Sequence, residues 1–133
     1  MRVGTGKSVV DNAGAGGIIC EINAETGEVI AAKDENGFSY DIHPDSGFCL
    51  IGFKIPRWNE AVILSKTLAR VIPEMAYCGW DLALTSEGWI MIEANPRGQF
   101  LWQIPRCIGF RVEIEEILSS FNIDYNIIEK HTI

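Results

Sequence analysis

The sequence predicts an α+β fold, a mainly antiparallel β-sheet flanked by helices, and two observations predict it. β-type runs outnumber helical ones, and hairpin signals join most of them. The 133 residues suit one domain, since a typical domain holds roughly 100–200. Hydrophobic residues make up 47% and charged residues 22%. That is enough apolar material for a core and too much for a disordered chain.

Taken in order, residues 7–10 read as a short strand and residues 11–17 (Asp-Asn-Ala-Gly-Ala-Gly-Gly) as a glycine loop. Residues 18–23 and 28–33 are β-type runs around Ala24-Glu25-Thr26-Gly27, a hairpin signal with Gly27 at the left-handed position. Residues 37–43 predict another strand, ended by the turn Pro44-Asp45-Ser46-Gly47. Pro56-Arg57-Trp58-Asn59 opens a helix that Asn59 can cap. Ala61, Ile63, Leu64, Leu68, Val71 and Ile72 give it an apolar face, and Pro73 ends it. Residues 77–85, the turn Ser86-Glu87-Gly88 and residues 89–93 form the clearest hairpin in the chain. Asn95-Pro96-Arg97-Gly98 is a loop, and residues 112–121 predict a short helix with Val112, Ile114, Ile117, Leu118 and Phe121 apolar. The expected domain covers residues 1–121, with a mixed tail over residues 122–133.

The net charge of −7 argues against unaided binding to nucleic acid or to an anionic membrane, since both need a basic footprint. It leaves phosphate ligands open, because a metal ion can bridge carboxylates to phosphates. No apolar run approaches the roughly 20 residues of a membrane span, and Met1-Arg2-Val3-Gly4 lacks the apolar core of a signal peptide. Cys20, Cys49, Cys78 and Cys107 form no Cys-x-x-Cys pair and read as reduced core thiols, which predicts a cytoplasmic protein and no zinc site.

Two phosphate motifs fail on context. Gly4-Thr5-Gly6-Lys7-Ser8 looks like the end of a P-loop, but the first Gly of that motif would fall at Met1 and β-branched Val9-Val10 follow. Gly14-Ala15-Gly16-Gly17-Ile18-Ile19 ends on Ile19 where the dinucleotide fingerprint needs Gly or Ala, and no crossover helix follows. A glycine loop between strands can still fold over a ligand through its backbone amides.

The chemistry concentrates in the hairpin. If Thr85 pairs with Trp89 across a three-residue turn, Asp81 faces Glu93. Directly opposed like charges are destabilising, so a structural hairpin should avoid the pair, whereas a divalent cation between them removes the penalty. Asn95, two residues on, points to the same side and adds a third hard oxygen. Such a set suits Mg²⁺ or Mn²⁺. Two plain readings stand beside it: solvated carboxylates at a hairpin end, or a register slipped by one residue that turns Asp81 to the other face. Arg97 continues the two-residue interval and can grip a phosphate or carboxylate bidentately; otherwise it is a surface loop cation.

Gly79-Trp80-Asp81 followed by Ile92-Glu93-Ala94-Asn95-Pro96-Arg97 resembles the C-terminal signature of ATP-grasp enzymes. With Asp11-Asn12, Gly16-Gly17, His43-Pro44-Asp45 and Ile55-Pro56-Arg57-Trp58, the chain is similar to the sugar-transfer-associated branch, often linked to bacterial surface polysaccharide synthesis. The resemblance runs from about Val3 to Leu118. It implies the C-terminal lobe of an ATP-grasp fold, with Asp81, Glu93 and Asn95 holding Mg²⁺ between the phosphates of ATP. It puts Asn12, Gly16 and Gly17 near the phosphates or the acceptor. Arg97 becomes the catalytic cation. Met91 shares a strand face with Glu93 and is either part of the nucleotide site or core.

The general reaction of the family phosphorylates a carboxylate, and a nucleophile then displaces the phosphate. The acceptor here is an unknown carboxylate. The family's adenine pocket and phosphate-binding Lys come from a lobe that precedes the matched region, and Lys7 is not at a matching position. The expectation is a fragment inactive alone, completed by a missing N-terminal lobe or by a homo-oligomer. The other class of reading is a metal-free remnant serving as an interaction module. His43 and Asp45 either touch the acceptor or simply build the turn with Pro44 and Gly47, the second being favoured.

Overall fold

The computed structural model describes residues 1–6, 17–75, 77–96, 98 and 103–122. The predicted strand over residues 7–10 and most of the glycine loop therefore lie outside the described residues. Strands β1 (Arg2–Val3), β2 (Ile18–Ile22) and β3 (Val29–Lys33) form one antiparallel sheet in that order. The β2–β3 hairpin follows the sequence closely. Asn23 Oδ1 accepts the amides of Glu25 at 2.9 Å and Thr26 at 3.0 Å, an Asx-type turn, and Gly27 closes it with φ of 73°. The core lies on one face of this sheet: Ile18, Cys20, Val29, Ala32 and Leu50, with Val3, Ile22, Tyr40, Ile51 and Phe53 packed around them.

Residues 37–43 do not form the predicted strand. Only single bridges occur there, Lys33 with Ser39 and Ile42 with Cys49. The Asp34 side chain supplies the reason. Its Oδ1 accepts the amides of Asn36 and Phe38 and its Oδ2 accepts the Tyr40 hydroxyl, so local bonds replace a ladder. The turn after it is as expected, with the Gly47 amide donating to the His43 carbonyl at 3.0 Å.

Helix α1 (Trp58–Leu68) starts two residues earlier than Asn59 capping requires. The capping residue is Arg57, left-handed at φ of 55° and without a side-chain cap. Two indoles fix that entry: Trp58 Nε1 donates to the Ala24 carbonyl at 2.8 Å and Trp89 Nε1 to the Arg57 carbonyl at 3.0 Å. The helix also stops before Pro73 can end it. Arg70 and Val71 donate to carbonyls three residues back, the tightening usual at a frayed end. Of the predicted apolar face Ala61 is buried, while Ile63, Val71 and Ile72 are exposed.

Strands β4 (Gly79–Leu84) and β5 (Trp89–Asn95) make a separate two-stranded antiparallel sheet. A one-turn helix α2 (Gln103–Arg106), absent from the sequence reading, packs on β2 and β3, where Arg106 Nε meets Glu21 Oε1 at 2.6 Å. Helix α3 (Arg111–Ser120) falls within one residue of its predicted span. The cysteine expectation needs correction: all four thiols are free, but only Cys20 is core, and Cys49 and Cys107 are exposed. Antiparallel sheets with a few helices make the chain α+β, as its sequence predicts.

Candidate functional site

The β4–β5 turn decides which side chains meet. Thr85 and Gly88 exchange both backbone bonds, at 2.8 and 3.3 Å, so the loop is Ser86-Glu87 and Leu84 rather than Thr85 faces Trp89. Regular pairing from there sets Ala83 against Ile90 and Leu82 against Met91. Continued, it would set Asp81 against Ile92. The register shifts instead, Ile92 is the extra residue of a bulge, and Asp81 faces Glu93. The expected opposition is therefore real, but it arises from a shorter turn and a compensating bulge.

The bulge also separates Met91 from Glu93. Paired residues share a sheet face, and neighbouring Leu82 and Asp81 point to opposite faces. Met91 goes with Leu82 and Glu93 with Asp81. Asn95 does share the Glu93 side, since its Nδ2 donates to Glu93 Oε1 at 3.1 Å. Across the strands, Asp81 Oδ2 accepts Arg2 Nη2 at 3.0 Å, with the two side chains 40% and 32% exposed. Arg2 lies on β1, so this ion pair joins the first sheet to the hairpin. No motif signals it, because the partners stand 79 residues apart in sequence.

Gly98 lies back against β4. The Gly98 amide donates to the Asn95 carbonyl at 3.1 Å, and the Tyr77 hydroxyl to the Gly98 carbonyl at 3.1 Å. Burial pushes the Tyr77 phenol up, which keeps it a donor. A Cβ on Gly98 would sit 3.0 Å from the Gly79 Cα, so a side chain there would press on the β4 backbone. Arg97 falls outside the described residues, as do Asn12 and Gly16. Gly17 is buried immediately before β2.

His43 and Asp45 serve the turn. His43 is buried, its Nε2 lies 2.8 Å from the Gly4 carbonyl, and its Nδ1 accepts the amides of Asp45 and Ser46 at 3.3 Å each. Asp45 Oδ2 accepts the Gly6 amide at 2.6 Å. Together they tie residues 43–47 to the segment after β1.

Among the described residues no three His, Cys, Asp or Glu side chains converge on one point. The candidate set is two facing carboxylates and an amide on one side of a hairpin, partly open to solvent. Those are hard oxygen donors, and they fit Mg²⁺ or Mn²⁺ rather than zinc.

The profile of the sugar-transfer associated ATP-grasp family matches residues 1–118. The chain belongs to that family. No curated protein and no solved structure matches it. The ATP-grasp match takes in both sheets and runs into α3, and the observed α+β architecture is consistent with part of an ATP-grasp domain. The functional class that goes with this family is ATP-binding and ligase-type. Among the described residues no helix is long and apolar enough to cross a membrane.

Proposed function

We propose that this ATP-grasp chain supplies the metal- and phosphate-binding side of a Mg²⁺-dependent, acyl-phosphate-forming carboxylate ligase. The observation that carries the reading is the Asp81–Glu93 opposition, with Asn95 hydrogen-bonded on the same side. Like charges directly opposite are unfavourable, and a divalent cation can offset the repulsion by binding both carboxylates at once. Asp81 and Glu93 would hold Mg²⁺ or Mn²⁺ through carboxylate oxygens and Asn95 through its amide oxygen. The ion, when bound, supplies charge neutralisation on the ATP phosphates.

The chain's own residues do the positioning. The bulge at Ile92 aims Glu93, and the close Gly79–Gly98 approach holds Gly98 against β4. Family resemblance assigns Arg97 the phosphate or acceptor, and Asn12, Gly16 and Gly17 the phosphate side. Resemblance alone carries Met91 into the nucleotide site, because the register sets it on the other face from Glu93. The acceptor is a carboxylate in cytoplasmic polysaccharide or sugar-linked biosynthesis.

Titration with ATP in the presence and absence of Mg²⁺ tests the reading. Mg²⁺-dependent ATP binding that Glu93→Gln abolishes supports it. ATP binding indifferent to Mg²⁺ and to that substitution overturns it and favours a metal-free interaction module.

A further inference from the structure

Arg2 belongs to none of the motifs that single out the hairpin. It sits on a two-residue edge strand, paired with Ile19, and reaches across to Asp81 Oδ2 at 3.0 Å. As a tether this bond is weak, because an ion pair about a third exposed adds little to stability. Its place is more informative than its strength. Of the two facing carboxylates, Glu93 is met by the neutral Asn95 amide and Asp81 by a full positive charge. The guanidinium thus already compensates one of the two facing carboxylates, through Asp81 Oδ2. Arginine keeps its charge at every accessible pH, so the balance does not depend on titration.

We infer that Arg2 is the counter-ion that Asp81 exchanges for the divalent cation, and that it sets the affinity of the site by competing for that carboxylate. The inference rests on the metal reading above and adds a residue to it. Arg2 is a competitor in this account: it neutralises Asp81 while no ion is bound and yields the carboxylate when the ion arrives. A merely structural Arg2 makes the opposite forecast. If its role were to hold β1 against the hairpin, removing it would loosen the site and weaken metal binding.

The experiment is a Mn²⁺ titration, without nucleotide, of the full chain and of Arg2→Met, Arg2→Gln and Asp81→Asn. Circular dichroism and urea unfolding confirm that each variant is folded. Methionine and glutamine keep most of the unbranched stem and remove the charge; the second variant serves if the first does not fold. Competition predicts that Mn²⁺ binds Arg2→Met about three- to tenfold more tightly, the scale of a unit charge a few ångströms from a divalent ion in a hydrated site. It also predicts a larger thermal stabilisation by Mn²⁺ in that variant. Unchanged or weaker binding in Arg2→Met, alongside wild-type binding that Asp81→Asn removes, overturns the role of Arg2 and leaves the metal reading intact. No Mn²⁺ binding by any folded form overturns both.

Discussion

Gly27 offers the sharpest test of how the hairpin core and helix α1 fit together. It has φ of 73°, and a Cβ built on it lies 2.5 Å from Trp58 Cγ, 2.6 Å from Trp58 Cβ and 2.9 Å from Cδ1. Gly27→Ala therefore meets two penalties. The left-handed backbone costs an L-residue about 1–2 kcal/mol, and overpacking against the indole costs about 1–3 kcal/mol. The sum, about 2–5 kcal/mol, is a large part of the roughly 5–15 kcal/mol that holds a domain folded. The two parts separate in a double-mutant cycle with Trp58→Gly. Trp58→Ala would not serve, since the Trp58 Cβ is itself 2.6 Å away. Urea unfolding of the four proteins should give Gly27→Ala a cost of only about 1–2 kcal/mol in the Trp58→Gly background. An equal cost in both backgrounds would refute the reasoning, because the indole would then not be what excludes the Cβ.

Two further expectations concern the core and the loop after β5. Burial pushes the Cys20 thiol above its ordinary value of 9.0. Its contribution is then complete below that pH and is lost as the pH rises from there toward the folded-state value, while the unfolded chain ionises first. Stability measured from pH 8 to 11 should fall less steeply in Cys20→Ala than in wild type, and parallel slopes would contradict this. Gly98→Ala places a Cβ 3.0 Å from the Gly79 Cα and 3.1 Å from its nitrogen, both backbone atoms that cannot rotate away. Urea unfolding should show a loss of about 1–3 kcal/mol, and Mn²⁺ affinity should fall as Asn95 shifts; a neutral substitution would mean that the loop does not press on β4.

What the sequence made legible was local. The β2–β3 hairpin follows from two β-type runs around Ala24-Glu25-Thr26-Gly27, and the Asn23 side chain and left-handed Gly27 realise it. The Asp81–Glu93 pair follows from the sequence only because two departures cancel: the loop is one residue shorter than Ser86-Glu87-Gly88, and a bulge restores the register. The bulge itself was not legible, since Ile92 is as good a strand residue as its neighbours and nothing marks it as extra. The start of α1 was misplaced by a similar cause. Asn59 is the better capping residue by type, but Trp58 and Trp89 anchor the entry from outside the helix. Residues 37–43 alternate enough for a strand, yet the Asp34 carboxylate takes the Phe38 amide and the Tyr40 hydroxyl. Arg2 could not be foreseen at all, because an ion pair between distant segments leaves no periodicity in sequence.

The measurement that bears most directly on the central claim is Mn²⁺ binding, followed by electron paramagnetic resonance on the folded chain, wild type beside Glu93→Gln and Asn95→Ala. If the hairpin is a metal site, wild type removes free Mn²⁺ from solution at one site, Mg²⁺ competes for it, Glu93→Gln loses it and Asn95→Ala weakens it. Free Mn²⁺ that stays unchanged on adding wild-type protein, or binding that survives Glu93→Gln undiminished, would contradict the account.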